Sequence, residues 1–215
     1  MTYTKEQISA ALDLALLCPG VISKEVHDAA TLVNRENIAT LCVAPIHVAY
    51  AARFTNRVST VIGFPHGNTF PEVKWREARM AISRGAIELD VVINYGRFLQ
   101  GDSSIVSKEL WLIVDTAHQY GVKVKAILET CYHPVPSIRR ACELCVAAGV
   151  DFVKTSTGFG ASGATPTAVT AMLSAVDGKA QVKASGGIKT YADAARYLDL
   201  GCTRLGSSCY WELLP

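Results

Sequence analysis

The chain has 215 residues, of which 50% are hydrophobic and 19% are charged, with a formal net charge of +2. This length suffices for one domain with a sizeable core, so we expect a single domain over residues 1–215. The small and scattered charge argues against binding to nucleic acid or to a membrane surface, and no apolar run is long enough to span a bilayer.

The chain begins with a short predicted helix, because Thr4 and Gln7 have the spacing of a capping box. Residues 1–7 lack the apolar segment of a signal peptide, which predicts a cytoplasmic protein. Eight strand candidates then alternate with helical patterns: Leu12–Leu17, Ile38–Val43, Val58–Phe64, Ala86–Ile93, Val122–Leu128, Val150–Thr155, Gln181–Ser185 and Thr203–Gly206.

Helix boundaries between these strands carry proline, threonine and glycine. Thr69 is predicted to cap a helix that begins near Pro71, and Pro166 is predicted to open another. Lys125, Lys154 and Lys183 recur at equal intervals of 29 residues (154 − 125 and 183 − 154), about the length of a strand with its crossover helix. Eight such units predict a (β/α)8 barrel. A doubly wound open sheet is the alternative, but the expected glycine-rich turn after the first strand is missing.

The predicted strands carry charges where core residues are expected. Alternation places Lys154 on the same face as Phe152, and Lys125 on the same face as Glu129. Further polar or charged residues on predicted inward faces are Cys42, Glu88, Asp90 and Lys183. A single strand lysine is explained by an ion pair or by reaching solvent. Several on adjacent strands, near the end where barrel active sites lie, predict a catalytic cavity.

Two buried lysines predict a specific chemistry. Burial and mutual repulsion lower the pKa of at least one amine, while an aspartate beside them keeps the other protonated. A neutral lysine amine is a nucleophile that forms a Schiff base with a carbonyl. We therefore predict that one of Lys154 and Lys183 is a neutral nucleophile and that the other, kept protonated by Asp90, supports it electrostatically.

Glycine-rich segments follow the last three predicted strands, around Gly158, Gly186 and Gly206. Backbone N–H groups in such loops and at helix N-termini bind anions, and the loops after strands 7 and 8 are the usual phosphate site of this barrel. We therefore predict a small phosphorylated substrate. The three segments include Gly158, Gly186, Gly187, Gly206, Ser207 and Ser208.

The seven cysteines are odd in number and scattered through apolar segments. In a chain without a signal peptide, this pattern indicates reduced thiols rather than disulfides. Cys142 and Cys145 have helical spacing, and no second Cys or His pair accompanies them at a spacing typical of zinc. We therefore expect no metal site.

Four segments closely resemble the 2-deoxyribose-5-phosphate aldolase family, and the similarity runs from about Leu12 to Ser208. They are Lys154-Thr155-Ser156-Thr157-Gly158-Phe159-Gly160, Val182-Lys183-Ala184-Ser185-Gly186-Gly187-Ile188, Glu88-Leu89-Asp90-Val91-Val92-Ile93-Asn94 and Phe64-Pro65-His66-Gly67-Asn68. The resemblance implies a (β/α)8 class I aldolase without metal or cofactor, active in deoxyribose phosphate catabolism. It also implies a homodimer or higher homo-oligomer.

By the same resemblance, Lys154 matches the Schiff-base lysine, Lys183 the second lysine, and Asp90 the aspartate that works with an ordered water. Lys125 and Cys42 match residues that line the cavity, and Asp13 is retained in the first strand. The residues that match the family's phosphate-binding backbone are Gly158, Gly186, Gly187, Gly206, Ser207 and Ser208. The family pattern there is Asp-His-Thr-Leu-Leu, whereas this chain has Ala15 in place of the threonine. This difference keeps one alternative open, a related Schiff-base aldolase for another small aldehyde or sugar phosphate. A phosphate-ligand binding protein without turnover is a separate alternative, and the retained Asp90, Lys154 and Lys183 argue against it.

Overall fold

The computed structural model describes residues 2–215. Eight parallel strands form a closed barrel in which each strand pairs with the next one along the chain, and the eighth pairs with the first. The barrel confirms the predicted (β/α)8 architecture and excludes the open sheet. The strands are β1 Leu12–Leu16, β2 Thr40–Val43, β3 Val58–Ile62, β4 Glu88–Val92, β5 Lys123–Ile127, β6 Phe152–Lys154, β7 Gln181–Ser185 and β8 Arg204–Ser207.

Helices surround the barrel. Within residues 2–215 they are α1 Lys5–Ala11, α2 Ser23–Arg35, α3 Val48–Ala51, α4 Pro71–Ser83, α5 Tyr95–Leu99, α6 Ser103–Gln119, α7 Val135–Ala147, α8 Pro166–Val176 and α9 Tyr191–Leu200. Short 3₁₀ turns lie at Pro45–His47, Thr130–Tyr132 and Trp211–Leu213. None of the helices in this range has both the length and the apolar character needed to cross a bilayer.

The helix starts agree with the sequence prediction at two places and differ at one. Thr4 caps α1 through a capping box with Gln7, and Thr165 caps α8, which has Pro166 in its first turn. The predicted Thr69 cap of α4 is wrong, because Phe70 occupies the N-cap position and makes no side-chain hydrogen bond. Pro71 takes the first helical position, which leaves Thr69 one residue too far from the helix to cap it.

The apolar core lies between the barrel and the helices. The strands turn one set of side chains outward into this core: Leu41, Leu89, Val124, Val153, Val182 and Leu205 are fully or almost fully buried there. The alternate residues point into the barrel, where the largest fully buried side chains include Lys125, Phe152 and Lys183. The apolar layer therefore holds the fold together, and the barrel interior is left for polar chemistry.

Strand register brings the interior charges together. Lys154 is aligned with Lys183 across β6 and β7, and Lys183 is aligned with Arg204 across β7 and β8. On the other side, Asp90 is aligned with Lys125 across β4 and β5. Aligned residues on adjacent parallel strands face the same way, so these side chains meet inside the barrel.

Candidate active site

The barrel interior holds a network of seven buried ionisable side chains. The cations are Lys125, Lys154, Lys183 and Arg204, and the anions are Asp13, Glu88 and Asp90. With all groups charged, the network has one more cation than anion. A buried charge without a compensating partner is costly, so the network favours the neutral form of one lysine.

Lys125 and Arg204 form the lower layer of this network. The Lys125 ammonium lies 2.7 Å from Asp90 Oδ1, 2.6 Å from Glu88 Oε2 and 3.2 Å from Asp13 Oδ2. The Arg204 guanidinium donates to both oxygens of Glu88, at 2.8 and 3.2 Å, and also to Asp13. The Phe152 ring lies beneath both cations. Each cation is therefore matched by at least two carboxylates.

Lys154 and Lys183 form the upper layer and share one carboxylate oxygen. Lys154 Nζ lies 2.7 Å from Asp90 Oδ2, and Lys183 Nζ lies 2.8 Å from the same atom. Lys183 also donates to Asp13 in a short hydrogen bond. Lys154 thus has a single, shared carboxylate, whereas Lys183 has two. Lys154 is the cation with the least compensation.

The pKa values of the two lysines shift in opposite directions. Burial lowers the pKa of Lys154, and the neighbouring Lys183 ammonium lowers it further, so that the opposing effect of Asp90 does not restore it. Burial also lowers the pKa of Lys183, but the carboxylates of Asp13 and Asp90 outweigh burial and leave this pKa raised. The arrangement therefore favours a neutral Lys154 beside a charged Lys183.

The two aspartates stay ionised beside the lysines. Burial alone would raise the pKa of Asp13 and of Asp90. The surrounding cations, Lys125 first among them, reverse this effect and hold both carboxyl pKa values below their usual range. Cys42 differs, because burial and the Asp90 charge raise the pKa of its thiol and keep it protonated.

A cavity of about 280 Å³ opens above the upper layer, at the C-terminal ends of the strands. Ten of the predicted site residues line it: Asp13, Cys42, Lys154, Gly158, Lys183, Gly186, Gly187, Gly206, Ser207 and Ser208. Lys125 was predicted to line the cavity as well, but it lies beneath it, fully buried among the carboxylates. Lys125 sits too low on its strand, because its aligned partner on β6 is Phe152 rather than Lys154.

Gly206 leaves space for the Lys183 side chain. A Cβ atom at Gly206 would lie 2.9 Å from Ser185 Cβ and 3.1 Å from Lys183 Cε. Close packing of this kind forces a neighbour to move when a methyl group is added. The glycine is therefore needed for the position of the second lysine as well as for the loop that follows.

Backbone donors surround the other end of the cavity. The main-chain N–H groups of Gly158, Gly186, Gly187 and Ser208 donate to no acceptor among residues 2–215. The exposed side chain of Lys189 lines the same end. Free backbone donors beside a lysine form a site suited to an anion.

Sequence reasoning missed Arg204 and misplaced Glu129. Arg204, like Lys154, is a charged residue within a predicted strand. The same pattern that identified Lys154 therefore also predicts Arg204 in the eighth strand. Glu129 was predicted to share a face with Lys125, but β5 ends at Ile127 and Glu129 adopts a left-handed conformation. Its carboxylate reaches Thr157 instead. Within residues 2–215, no group of three His, Cys, Asp or Glu side chains is arranged to hold a metal ion.

Comparison with known proteins agrees with this geometry. The sequence profile of DeoC/LacD family aldolases matches residues 8–204. The deoxyribose-phosphate aldolase of Carboxydothermus hydrogenoformans is 41% identical over 208 residues, which cover 94% of this chain and 91% of that protein. The deoxyribose-phosphate aldolase of Thermococcus gammatolerans is 45% identical over 174 residues, which cover 78% of this chain and 77% of that protein.

A solved structure gives the same result. The tetrameric deoxyribose phosphate aldolase from Aeropyrum pernix superimposes with a TM-score of 0.91 at 29% identity, covering 98% of this chain and 90% of that one. The fold and the site together define a (β/α)8 barrel aldolase, a carbon–carbon lyase. The chain belongs to the DeoC/LacD family of aldolases.

Proposed function

We propose that the protein reversibly cleaves 2-deoxy-D-ribose 5-phosphate to D-glyceraldehyde 3-phosphate and acetaldehyde through a Schiff base on Lys154. The observation that carries this proposal is the sharing of Asp90 Oδ2 by two lysines, at 2.7 and 2.8 Å, below a cavity that both lysines line. The names of the curated relatives supply the substrate.

The reaction begins at the aldehyde carbon of the open-chain sugar. The neutral Lys154 amine attacks C1, and uptake of one proton with loss of water gives an iminium cation. Asp90, acting through a water molecule, accepts the proton of the C3 hydroxyl, the C2–C3 bond breaks, and its electron pair moves into the iminium to form an enamine. Glyceraldehyde 3-phosphate leaves with C3 as its aldehyde carbon. Protonation of the enamine at C2, followed by hydrolysis of the iminium, releases acetaldehyde and regenerates Lys154.

Asp90 and Lys183 are assigned to proton transfer in this scheme. Asp90 contacts both amines, so it can accept a proton from one and return it without moving. Lys183 remains an ammonium because of Asp13 and Asp90, and it supplies the positive charge that keeps Lys154 neutral. Asp13 is assigned to holding Lys183 in place.

The substrate phosphate is assigned to the free backbone donors of the loops after β6, β7 and β8. These donors line the same cavity as Lys154. A phosphate bound to them orients the sugar so that its aldehyde end reaches Lys154. Binding energy from a phosphate remote from the broken bond is a common source of orientation in catalysis.

Borohydride trapping tests the Schiff base. Reduction in the presence of acetaldehyde, followed by peptide mass spectrometry, is expected to place an ethyl group on Lys154. The Lys154→Leu variant is expected to lose turnover by about 10³-fold or more while it stays folded. A label on another lysine, or turnover retained in Lys154→Leu, would reject the assignment.

A second substrate is favoured by one observation. Ala15 lines the cavity where the family pattern has threonine, so one hydroxyl that could contact the sugar is missing. A related aldehyde or sugar phosphate that lacks the hydroxyl group contacted by the threonine would lose no hydrogen bond at Ala15. A panel of aldehydes, compared between the wild type and Ala15→Thr, separates the two substrates: only for deoxyribose phosphate should the added hydroxyl improve kcat/KM.

We also propose that the protein self-associates as a homodimer or larger and that it is cytoplasmic. The tetrameric relative from A. pernix supports self-association, and light scattering in solution measures the mass that tests it. The seven cysteines are all free thiols, which fits a reducing compartment.

A further inference from the structure

Glu129 has a backbone conformation that is unusual for its residue type. It follows β5 with φ of 54° and ψ of 62°, in the left-handed region. Among residues 2–215, the other non-glycine residues with positive φ are Asn37 and Asp177, and Asn and Asp adopt this region more readily than Glu does. Such strain persists only where the surroundings hold it in place, and it is often functional.

The strained turn directs the Glu129 carboxylate at the loop between β6 and α8. The N–H of Thr157 lies 3.3 Å from each of the two carboxylate oxygens, and the Thr157 hydroxyl donates a short hydrogen bond to Oε2. A Cβ atom at Gly160 would lie 3.0 Å from Glu129 Cδ, so the loop packs closely against the carboxylate. The carboxylate is almost fully buried and holds this loop at one point.

The part of the loop that Glu129 contacts belongs to the cavity wall. Thr157, Gly158 and Phe159 line the cavity together with Lys154. The Thr157 hydroxyl donates a hydrogen bond to Glu129 and accepts one from the Phe159 N–H at 3.0 Å, which leaves one lone pair of the hydroxyl oxygen for a ligand. The next residue, Gly158, has a free N–H. The orientation of both groups depends on the Glu129 contact.

We propose that Glu129 is a positioning residue, whose carboxylate fixes Thr157 and Gly158 for a phosphorylated, hydroxyl-bearing substrate. The proposal rests on the proposed aldolase function and extends it to the residue that holds the loop between β6 and α8 in place. Glu129 itself does not line the cavity, so it acts through Thr157.

The ionised form of Glu129 is the one that accepts both hydrogen bonds from Thr157. Burial raises the pKa of Glu129, whereas Thr157, Lys154 and His66 lower it without cancelling the rise. Tyr95 and Cys131 also lie near this carboxyl group. Acidification through the raised pKa protonates Glu129 and removes an acceptor from Thr157. Binding of the phosphorylated substrate should therefore weaken as the pH falls towards this pKa.

Four variants test the proposal. Glu129→Gln keeps the shape of the side chain but has only one acceptor oxygen, so its amide N–H₂ faces a donor. Thr157→Val removes the hydroxyl, and the double variant tests whether the two residues act together. Glu143→Gln, on the exposed face of α7, is the matched control. Circular dichroism and urea unfolding check that each variant folds.

Two measurements separate this proposal from the aldolase assignment. Inorganic phosphate binding, followed by ³¹P NMR titration, reports on the phosphate site without the Schiff-base chemistry. We expect Kd to rise about tenfold in Glu129→Gln, about as much as the loss of a charge-assisted hydrogen bond. Steady-state kinetics should give a similar rise in KM for deoxyribose 5-phosphate and a smaller one for unphosphorylated deoxyribose. Borohydride trapping of acetaldehyde on Lys154 should persist.

The double variant and the pH dependence of KM test the role of Glu129 further. The double variant should bind phosphate no more weakly than whichever single variant binds it less tightly. The acid-side rise in KM should be smaller in Glu129→Gln than in Glu143→Gln, because only the protonation of the substrate phosphate remains. Phosphate binding equal to that of Glu143→Gln, or additive losses in the double variant, would overturn the role of Glu129. Failure of the wild type to form an adduct on Lys154 would reject the aldolase mechanism and leave the phosphate titration to decide on Glu129.

Discussion

The proposed reaction depends on unequal compensation of charge among a few buried residues. Lys125, Lys183 and Arg204 each contact at least two carboxylates, whereas Lys154 contacts one, which it shares. The difference is enough to move the pKa values of two adjacent lysines in opposite directions. The proposed nucleophile and the ammonium beside it are therefore the same residue type on adjacent strands.

The rate of imine formation should depend on pH through Lys154. Only the neutral amine attacks, so the rate should rise with pH through the lowered pKa of Lys154 and then level off. Lys183→Met removes a neighbouring ammonium, which raises the pKa of Lys154 and should shift this rise to higher pH. The measurement is the initial rate of cyanoborohydride-trapped acetaldehyde adduct against pH. Lys179→Met, an exposed lysine before β7, is the control; an unchanged profile in Lys183→Met would contradict the expectation.

Gly206→Ala should impair catalysis through Lys183. The new Cβ would lie 2.9 Å from Ser185 Cβ and 3.1 Å from Lys183 Cε, so these neighbours must shift and the contacts of Lys183 with Asp13 and Asp90 should be disturbed. We expect kcat/KM to fall by about tenfold to a hundredfold, because a small displacement of a reacting group has effects of this size. Gly20→Ala is the control, since nothing lies within 4 Å of its added Cβ. Equal activity of the two variants would show that Lys183 tolerates displacement.

At the scale of secondary structure, a second buried ion pair fixes the end of the strand that carries Asp90. Lys74 of α4 lies 2.8 Å from Glu109 of α6, and both side chains are fully buried. Lys74 also donates to the carbonyl of Val92 at 2.8 Å, and Glu109 accepts from the N–H of Asn94 at 2.9 Å. Two helices are thereby joined to the chain just after β4.

Breaking this pair should destabilise the protein strongly. Lys74→Met leaves the Glu109 carboxylate buried without its cation, which should lower the free energy of unfolding by about 3–5 kcal/mol. The double variant Lys74→Met, Glu109→Leu should recover most of this loss, because no isolated charge remains. Urea unfolding measures both. Lys24→Met, in an exposed pair with Asp28, should have no measurable effect. A double variant as unstable as Lys74→Met would argue against the charge as the cause.

At the scale of the whole molecule, barrel closure and the charge network depend on each other. Asp13 on β1 pairs with Lys125 on β5, Lys183 on β7 and Arg204 on β8. These contacts cross the interior and join strands from all sides of the barrel. The same carboxylates that tune the lysines therefore also contribute to the stability of the closed barrel.

Stability should accordingly fall in acid. The pKa values of Asp13 and Asp90 are lowered in the folded state, so below about pH 4 the unfolded chain binds more protons than the folded one. The stabilisation that these groups give is present above the ordinary aspartate pKa and is lost as the pH falls below it. Urea unfolding at decreasing pH should give a steeper loss in the wild type than in Asp13→Asn. Asp177→Asn, an exposed aspartate, should follow the wild type.

Much of this protein could be predicted from the chain. Regular spacing of the lysines and alternation of strands with helices predicted the barrel, because one strand and its crossover helix need about this many residues. The site residues Lys154, Lys183 and Asp90 could be predicted because a charged side chain within an apolar strand is costly to bury and is therefore unusual in a core. Glycines after the last three strands marked the end of the cavity where backbone donors are free.

Tertiary structure alone decided the rest. Alternation placed Glu129 beside Lys125, but a left-handed residue after β5 ended the alternation, and no local pattern in the sequence predicts this conformation for a glutamate. The depth of Lys125 within the barrel depends on strand register, which is set by pairing with β4 and β6. Which lysine is neutral depends on how many carboxylates each one reaches across the barrel. Those distances join residues far apart in sequence, so sequence supplied the charges, and packing decided how they are compensated.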